Sequence, residues 1–132
     1  VAIGRNLKKY STGNKKVIFL GQRSDIEKLM KSFDIMCLTS KAEGFPNVIG
    51  EAMSTGLPCI TTDVGDAKEI VGETGWVSRP NDSKSFARSL NSALNTPNNQ
   101  IIRYGKTARR KIIEEFHIDD VRKQFASLYR SI

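Results

Sequence analysis

Two carboxylates, Glu43 and Glu51, bracket the segment EGFPNVIGE, and no other part of the sequence arranges chemically useful groups so tightly. Gly44 permits close backbone approach or a positive φ, and Pro46 suits a first helical turn, where its missing N–H costs nothing. Asn47, Val48 and Ile49 follow with amides expected to point outward. A helix start of this kind can hold a diphosphate by backbone donors and the helix dipole, without a metal. Glu51, one turn inside the helix, would then accept two hydrogen bonds from the vicinal hydroxyls of a ribose. Glu43, on the other side of the phosphates, would reach sugar hydroxyls. Carboxylates are electrostatically unwelcome beside phosphate, so their presence is informative. On these residues alone a plainer reading stays open, with Glu51 as a first-turn acid favoured by the helix dipole and Glu43 as an exposed loop residue.

Other reactive residue types lack partners. The single histidine, His117, falls in a break between helices, where it reads as a surface or capping residue. Ser40 and Ser54 have no histidine that would complete a hydrolytic triad. Two cysteines and one histidine without clustered spacing do not make a zinc site. Trp76 reads as a core residue.

The elements that must position EGFPNVIGE are short and alternate. Apolar runs recur at 1–4, 17–21, 34–39, 58–62 and 75–78. Between them lie helical stretches. Ser24 and Glu27 form a capping-box pair ahead of the stripe Ile26, Leu29, Met30 and Phe33. A second helix over 47–55 is closed by Gly56 and Pro58. A third is expected over 67–71, with Asp66 as its cap. Strands that are apolar throughout indicate a parallel sheet covered on both faces, the α/β, Rossmann-like, doubly wound layout. Its ligands gather at the carboxyl ends of the strands, here at Gly21-Gln22-Arg23, Ser40 to Asn47 and Thr62 to Asp66. Helices then run to the end. Asp82 or Ser83 caps the first, Thr96 to Asn99 break it, a second occupies 101–116, and the last, 118–132, sets Val121, Phe125, Leu128 and Ile132 on one face that could dock on a neighbour.

With 39% hydrophobic and 27% charged residues over 132 positions, the sequence suits one domain with a single core. Its longest apolar runs are far short of the ~20 residues that cross a bilayer. The start, Val1-Ala2-Ile3-Gly4-Arg5, reads as neither a signal peptide nor a natural beginning, so the chain is expected to be a fragment. Cys37 and Cys59 lie in runs expected to be buried strands, giving free thiols in a reducing, cytoplasmic compartment. The net charge of +7 favours anionic partners, and Arg103, Lys106, Arg109, Arg110, Lys111, Arg122, Lys123 and Arg130 crowd the last third. Aromatic residues are too sparse there for stacking, so nucleic acid is not expected. A solvated helical face is the simplest account, and peripheral contact with an anionic membrane at its inner face is admissible.

Glu43 to Met53, followed by Gly56-Leu57-Pro58 and Thr62-Asp63-Val64-Gly65, resembles the E-x7-E region of retaining, GT-B-fold glycosyltransferases of glycosyltransferase family 4. Val17 to Gly21, Ala67 to Val71 and Thr74-Gly75 extend the resemblance over nearly the whole chain in the right order. It implies a nucleotide-sugar-binding C-terminal domain over 1–132. Glu51 would bind the donor ribose, and Glu43 would contact the transferred sugar with a role in catalysis. Backbone around Gly44, Phe45, Asn47 and Val48 would hold the diphosphate. Gly21 and Arg23 would lie beside the nucleobase. The implied substrate is a nucleotide-diphosphate sugar, with a UDP-sugar as the family-weighted expectation, and neither cofactor nor metal is implied. The implied acceptor is a growing polysaccharide or lipid-linked glycan.

Two departures stand out. Many relatives carry a second glycine where this chain has Asp66. Relatives also begin the domain with a further strand and helix bearing an Arg and a Lys that neutralise the phosphates, and the present chain starts after them. The N-terminal GT-B domain, which binds acceptor and completes the cleft, is the expected partner, and the 132 residues alone are expected to be inactive. Two rival readings remain: a nucleotide-binding module without catalysis, and a basic interaction domain for anionic lipid or nucleic acid.

Overall fold

A computed structural model describes residues 1–5, 7–10, 13 and 15–131. Five strands alternate with helices: β1 (Ala2–Ile3), β2 (Phe19–Gly21), α1 (Ile26–Met30), β3 (Met36–Leu38), α2 (Asn47–Ser54), β4 (Cys59–Thr62), α3 (Ala67–Val71) and β5 (Trp76–Ser78). Three helices follow, α4 (Ser83–Leu94), α5 (Asn98–Glu115) and α6 (Ile118–Arg130). Short 3-10 turns occupy Leu7–Tyr10 and Gly72–Thr74.

All described pairings are parallel, as strands without alternation require. The strands fall into two sheets and not one, β1-β2 and β3-β4-β5. β4 is the centre of the larger sheet, with every residue buried, and pairs Met36 with Cys59 on one side and Ile60 with Trp76 on the other. Successive side chains of a strand point to opposite faces. Cys59 joins the main core with Met30, Ile49, Ala52, Met53, Ile70, Val71 and Ala108, contributed by α1, α2, α3 and α5, and with Leu57 from the turn between α2 and β4. Ile60, on the opposite face, lies where α4 packs on β4 and β5. Helices thus cover both faces of this sheet.

Two threonines and a serine sit buried in the sheet, each with a partner. Thr61 Oγ1 donates to Thr62 O (3.1 Å), Ser78 Oγ to Thr61 O (3.1 Å) and Thr62 Oγ1 to Ser40 O (2.7 Å). Among the described residues no buried side-chain polar atom lacks a partner, as a low-dielectric interior demands.

Several local expectations are revised. The Ser24–Glu27 capping box does not form: α1 starts at Ile26 behind Asp25, whose side chain makes no cap bond because it pairs with Arg23. Asp66 occupies the N-cap of α3 without a side-chain bond, whereas Asp82 caps α4 by accepting from Ser85 N (2.8 Å). α5 starts at Asn98, three residues earlier than its apolar pattern suggests, because Pro97 at the N-cap fixes the entry. Cys37 is exposed while Cys59 is buried, and both are free. β3 is an edge of its sheet, so burial stops there. Trp76 is only partly buried, edge-on to Tyr104 with ring centroids 5.4 Å apart. Ile132 lies outside the described residues.

The basic last third is partly consumed by structure. Arg109 donates to Ser54 O (2.6 Å) at the end of α2, and Lys111 to Glu69 O (2.5 Å) in α3. Cations there satisfy helix carbonyls and oppose the negative dipole ends. Arg122 and Lys123 pair with Asp119 and Asp120 in the first turn of α6. His117 is the N-cap of that helix and accepts from Asp119 N through Nδ1.

Candidate functional site

The segment from Thr39 to Pro46 leaves the carboxyl end of β3 and enters α2. Three independent ties hold it. Thr62, at the end of β4, donates its hydroxyl to Ser40 O, and Ser40 Oγ in turn donates to Glu43 Oε1 (2.6 Å). The turn after β4 presses against the same segment: Asp66 N donates to Gly44 O (3.0 Å), and a Cβ on Gly65 would collide with the carbonyl oxygens of Gly44 and Glu43. Phe45 rests on Phe116, which terminates α5, with centroids 5.8 Å apart. Thr62, Gly65 and Phe116 thus position the segment, and only their long-range contacts reveal it.

The glycine expectation moves. Gly44 is not among the residues with positive φ, and the space where its Cβ would stand is open. The close approach is made by Gly65, at φ +50, from the neighbouring turn. Asp66 in place of glycine costs nothing here, because its φ of -85 is ordinary and its backbone N–H makes the bond to Gly44.

At the start of α2, Pro46 is the N-cap. Asn47 N donates to Phe45 O (3.0 Å) and Ile49 N to Pro46 O (3.0 Å), so these two amides are engaged locally and not presented outward. The amides of Phe45 and Val48 make no hydrogen bond among the described residues. Ile49, Ala52 and Met53 bury the inner stripe of α2, which turns Glu51 to the exposed face. The Glu51 carboxylate has no ion pair or hydrogen bond among the described residues. Glu43 is likewise exposed, with Ser40 holding only one of its oxygens. Glu43, Gly44, Phe45, Asn47 and Val48 thus share one loop and helix start, with Glu51 a turn beyond.

Gly21 and Arg23 lie elsewhere, at the carboxyl end of β2 in the two-stranded sheet. Gly21 has φ +72, with open space where a Cβ would stand. Arg23 forks onto Asp25, Nε to Oδ1 at 2.8 Å and the terminal nitrogen to Oδ2 at 2.6 Å. The hydrogen bond raises the guanidinium pKa further and holds the Asp25 carboxyl below its usual range. Arg23 would have to leave Asp25 to cover a base.

An open cleft of about 420 Å³ lies between the end of β3 and the start of α4, with Lys41, Thr62, Arg79 and Asp82 in its wall. Neither Glu43 nor Glu51 lines it. Among the described residues no three Cys, His, Asp or Glu side chains cluster as metal ligands. The site is therefore an open surface of backbone donors flanked by two carboxylates.

Known proteins resemble this chain in sequence and in fold. The sequence model described as "Glycosyl transferases group 1" matches residues 2–96. The N-acetyl-alpha-D-glucosaminyl L-malate synthase of Bacillus anthracis is 31% identical over 120 residues, covering 89% of this chain and 31% of its own length. An Escherichia coli enzyme named UDP-Gal:alpha-D-GlcNAc-diphosphoundecaprenol alpha-1,3-galactosyltransferase is 34% identical over 107 residues, covering 79% and 27%. Among solved structures, Anabaena Alr3699/HepE in complex with UDP and glucose superposes with a TM-score of 0.83 at 25% identity, over 98% of this chain and 40% of that one. The chain thus spans about a third of the length of the curated relatives it matches. The family match takes in every strand and the whole E-x7-E segment, and the chain belongs to the group 1 glycosyl transferases.

Proposed function

We propose that this chain is the donor-binding part of a two-domain, retaining glycosyltransferase of family 4, which moves a sugar from a nucleoside diphosphate to a polysaccharide or lipid-linked acceptor. The observation that carries the reading is the surface at the start of α2: unengaged amides at Phe45 and Val48, with the unpaired Glu51 one turn beyond and the tethered Glu43 before them. Backbone donors hold the diphosphate, and their strength grows as negative charge accumulates on the leaving group. Glu51 accepts from the ribose hydroxyls, and Glu43 orients the departing sugar. No metal is required. Gly21 and Arg23 flank the base once Arg23 gives up Asp25. UDP is the nucleotide, a choice supported by the UDP and glucose bound to Anabaena Alr3699/HepE. An N-terminal domain supplies the acceptor side of the cleft. The enzyme works in the cytoplasm, with Arg103, Lys106 and Arg110 facing the anionic inner leaflet; none of these makes an ion pair among the described residues.

The test is a thermal-shift panel of UDP-, GDP- and ADP-sugars on the full-length protein, since a ligand that binds only the folded state raises its midpoint. UDP-sugars are expected to shift it most. Glu51→Ala should weaken UDP binding about tenfold or more, through loss of hydrogen bonds to a charged acceptor. Glu43→Gln should spare UDP binding and lower turnover. No shift with any nucleotide sugar would sink the reading.

A further inference from the structure

Ser40 has no histidine beside it in the sequence, and the structure gives it two other partners. Its carbonyl accepts from Thr62 Oγ1 at 2.7 Å, and its hydroxyl donates to Glu43 Oε1 at 2.6 Å. Thr62 is 5% exposed and closes β4, the most buried strand of the fold. The two bonds run in series from the rigid core to an exposed carboxylate. We infer that Ser40, backed by Thr62, is a positioning residue for Glu43, setting one carboxylate oxygen so that the other faces the transferred sugar. The inference rests on the role proposed for Glu43 above.

Three features support it. A free glutamate side chain samples many rotamers, and holding it in one costs entropy at the moment of reaction unless the cost has been met beforehand. A hydroxyl bonded to a carboxylate at 2.6 Å is a short, charge-assisted bond able to hold that rotamer. The bond uses Oε1 alone, and Oε2 has no partner among the described residues, so one acceptor remains for a substrate hydroxyl. The backbone of Glu43 is fixed separately, by Gly65 against its carbonyl and by Asp66 N on Gly44 O. Removing the Ser40 hydroxyl should therefore release the side chain of Glu43 while the loop keeps its place.

The experiment measures UDP affinity and steady-state hydrolysis of UDP-glucose, UDP-galactose and UDP-N-acetylglucosamine by the full-length protein and its Ser40→Ala, Ser40→Thr, Thr62→Val and Glu43→Gln variants. Ser40→Ala is expected to lower kcat roughly tenfold on the donor that wild type uses, with UDP affinity within about twofold. Ser40→Thr, which keeps the hydroxyl, should recover most of the rate, and Thr62→Val should fall between wild type and Ser40→Ala. Ser40→Ala turning over like wild type while Glu43→Gln does not would overturn the positioning role. Ser40→Ala losing UDP affinity in step with kcat would also overturn it, by showing that the hydroxyl shapes the phosphate loop. Glu43→Gln turning over like wild type would instead remove the role of Glu43 itself.

Discussion

Gly65 shows how one residue can decide the geometry of a site to which it contributes no side chain. It sits at φ +50 with no room for a Cβ, because the carbonyls of Glu43 and Gly44 press against it. Gly65→Ala is expected to destabilise the fold by about 1–3 kcal/mol, combining backbone strain with overpacking, and to weaken UDP binding as the 43–44 carbonyls are displaced. Denaturant unfolding together with a UDP titration checks both. An unchanged midpoint would show that the turn relaxes freely. The position was visible in the sequence only as one glycine of Val64-Gly65-Asp66. Gly44, adjacent to the glutamate, looked more demanding and is not. Two of the three amides expected to point outward do not, for a similar reason: Asn47 and Ile49 turn back on Phe45 O and Pro46 O, and that choice depends on the local path of the chain, which residue type does not state.

At the scale of elements, parallel strands bury their residues only when both edges and both faces are covered. β4 meets that condition and β3 does not. The two cysteines record the difference. Burial pushes the Cys59 thiol up to about 12; Cys37 is also raised by partial burial, but its side chain is exposed. At pH 8 in the 132-residue chain, a thiol reagent is expected to modify Cys37 alone, with Cys59 reacting only after denaturant is added, since the attacking species is an accessible thiolate. Two equally fast thiols under native conditions would contradict the burial of β4. The basic residues of α5 follow a comparable logic. Arg109 and Lys111 end on carbonyls of α2 and α3, and Gly105 lets α5 approach Gly56 without room for a Cβ. Charge that looked like a solvated face is in part a clamp between helices.

Across the whole molecule, the main core gathers α1, α2, α3 and α5 on the larger sheet, whereas α6 contributes no buried residue. Phe125 and Leu128 are 58% and 57% exposed on it. Phe125→Ser with Leu128→Ser is therefore expected to change the stability of the 132-residue chain by less than about 0.5 kcal/mol, as for surface substitutions generally. Denaturant unfolding of the double variant measures it. A loss of several kcal/mol would mean that the helix packs on this domain. The amphipathic face was legible in the spacing of Val121, Phe125 and Leu128; what covers it was not, because a stripe records that something apolar belongs there without recording what.

By itself the sequence determined the order and type of the elements, the parallel character of the strands and the place of the two-carboxylate segment between a strand and a helix. Each of these depends on residues close together in the chain: apolar runs, helix stops at Gly56 and Pro58, and the E-x7-E segment at a strand-to-helix junction. Only the tertiary structure decided that the strands divide into two sheets, and that Glu43 is tied through Ser40 to Thr62, 22 residues from Ser40. The physical reason is range. Propensity and periodicity act within a few residues, whereas a hydrogen bond between neighbouring strands, or a carbonyl pressed on a glycine, exists only after the sheet has brought distant turns to the same end.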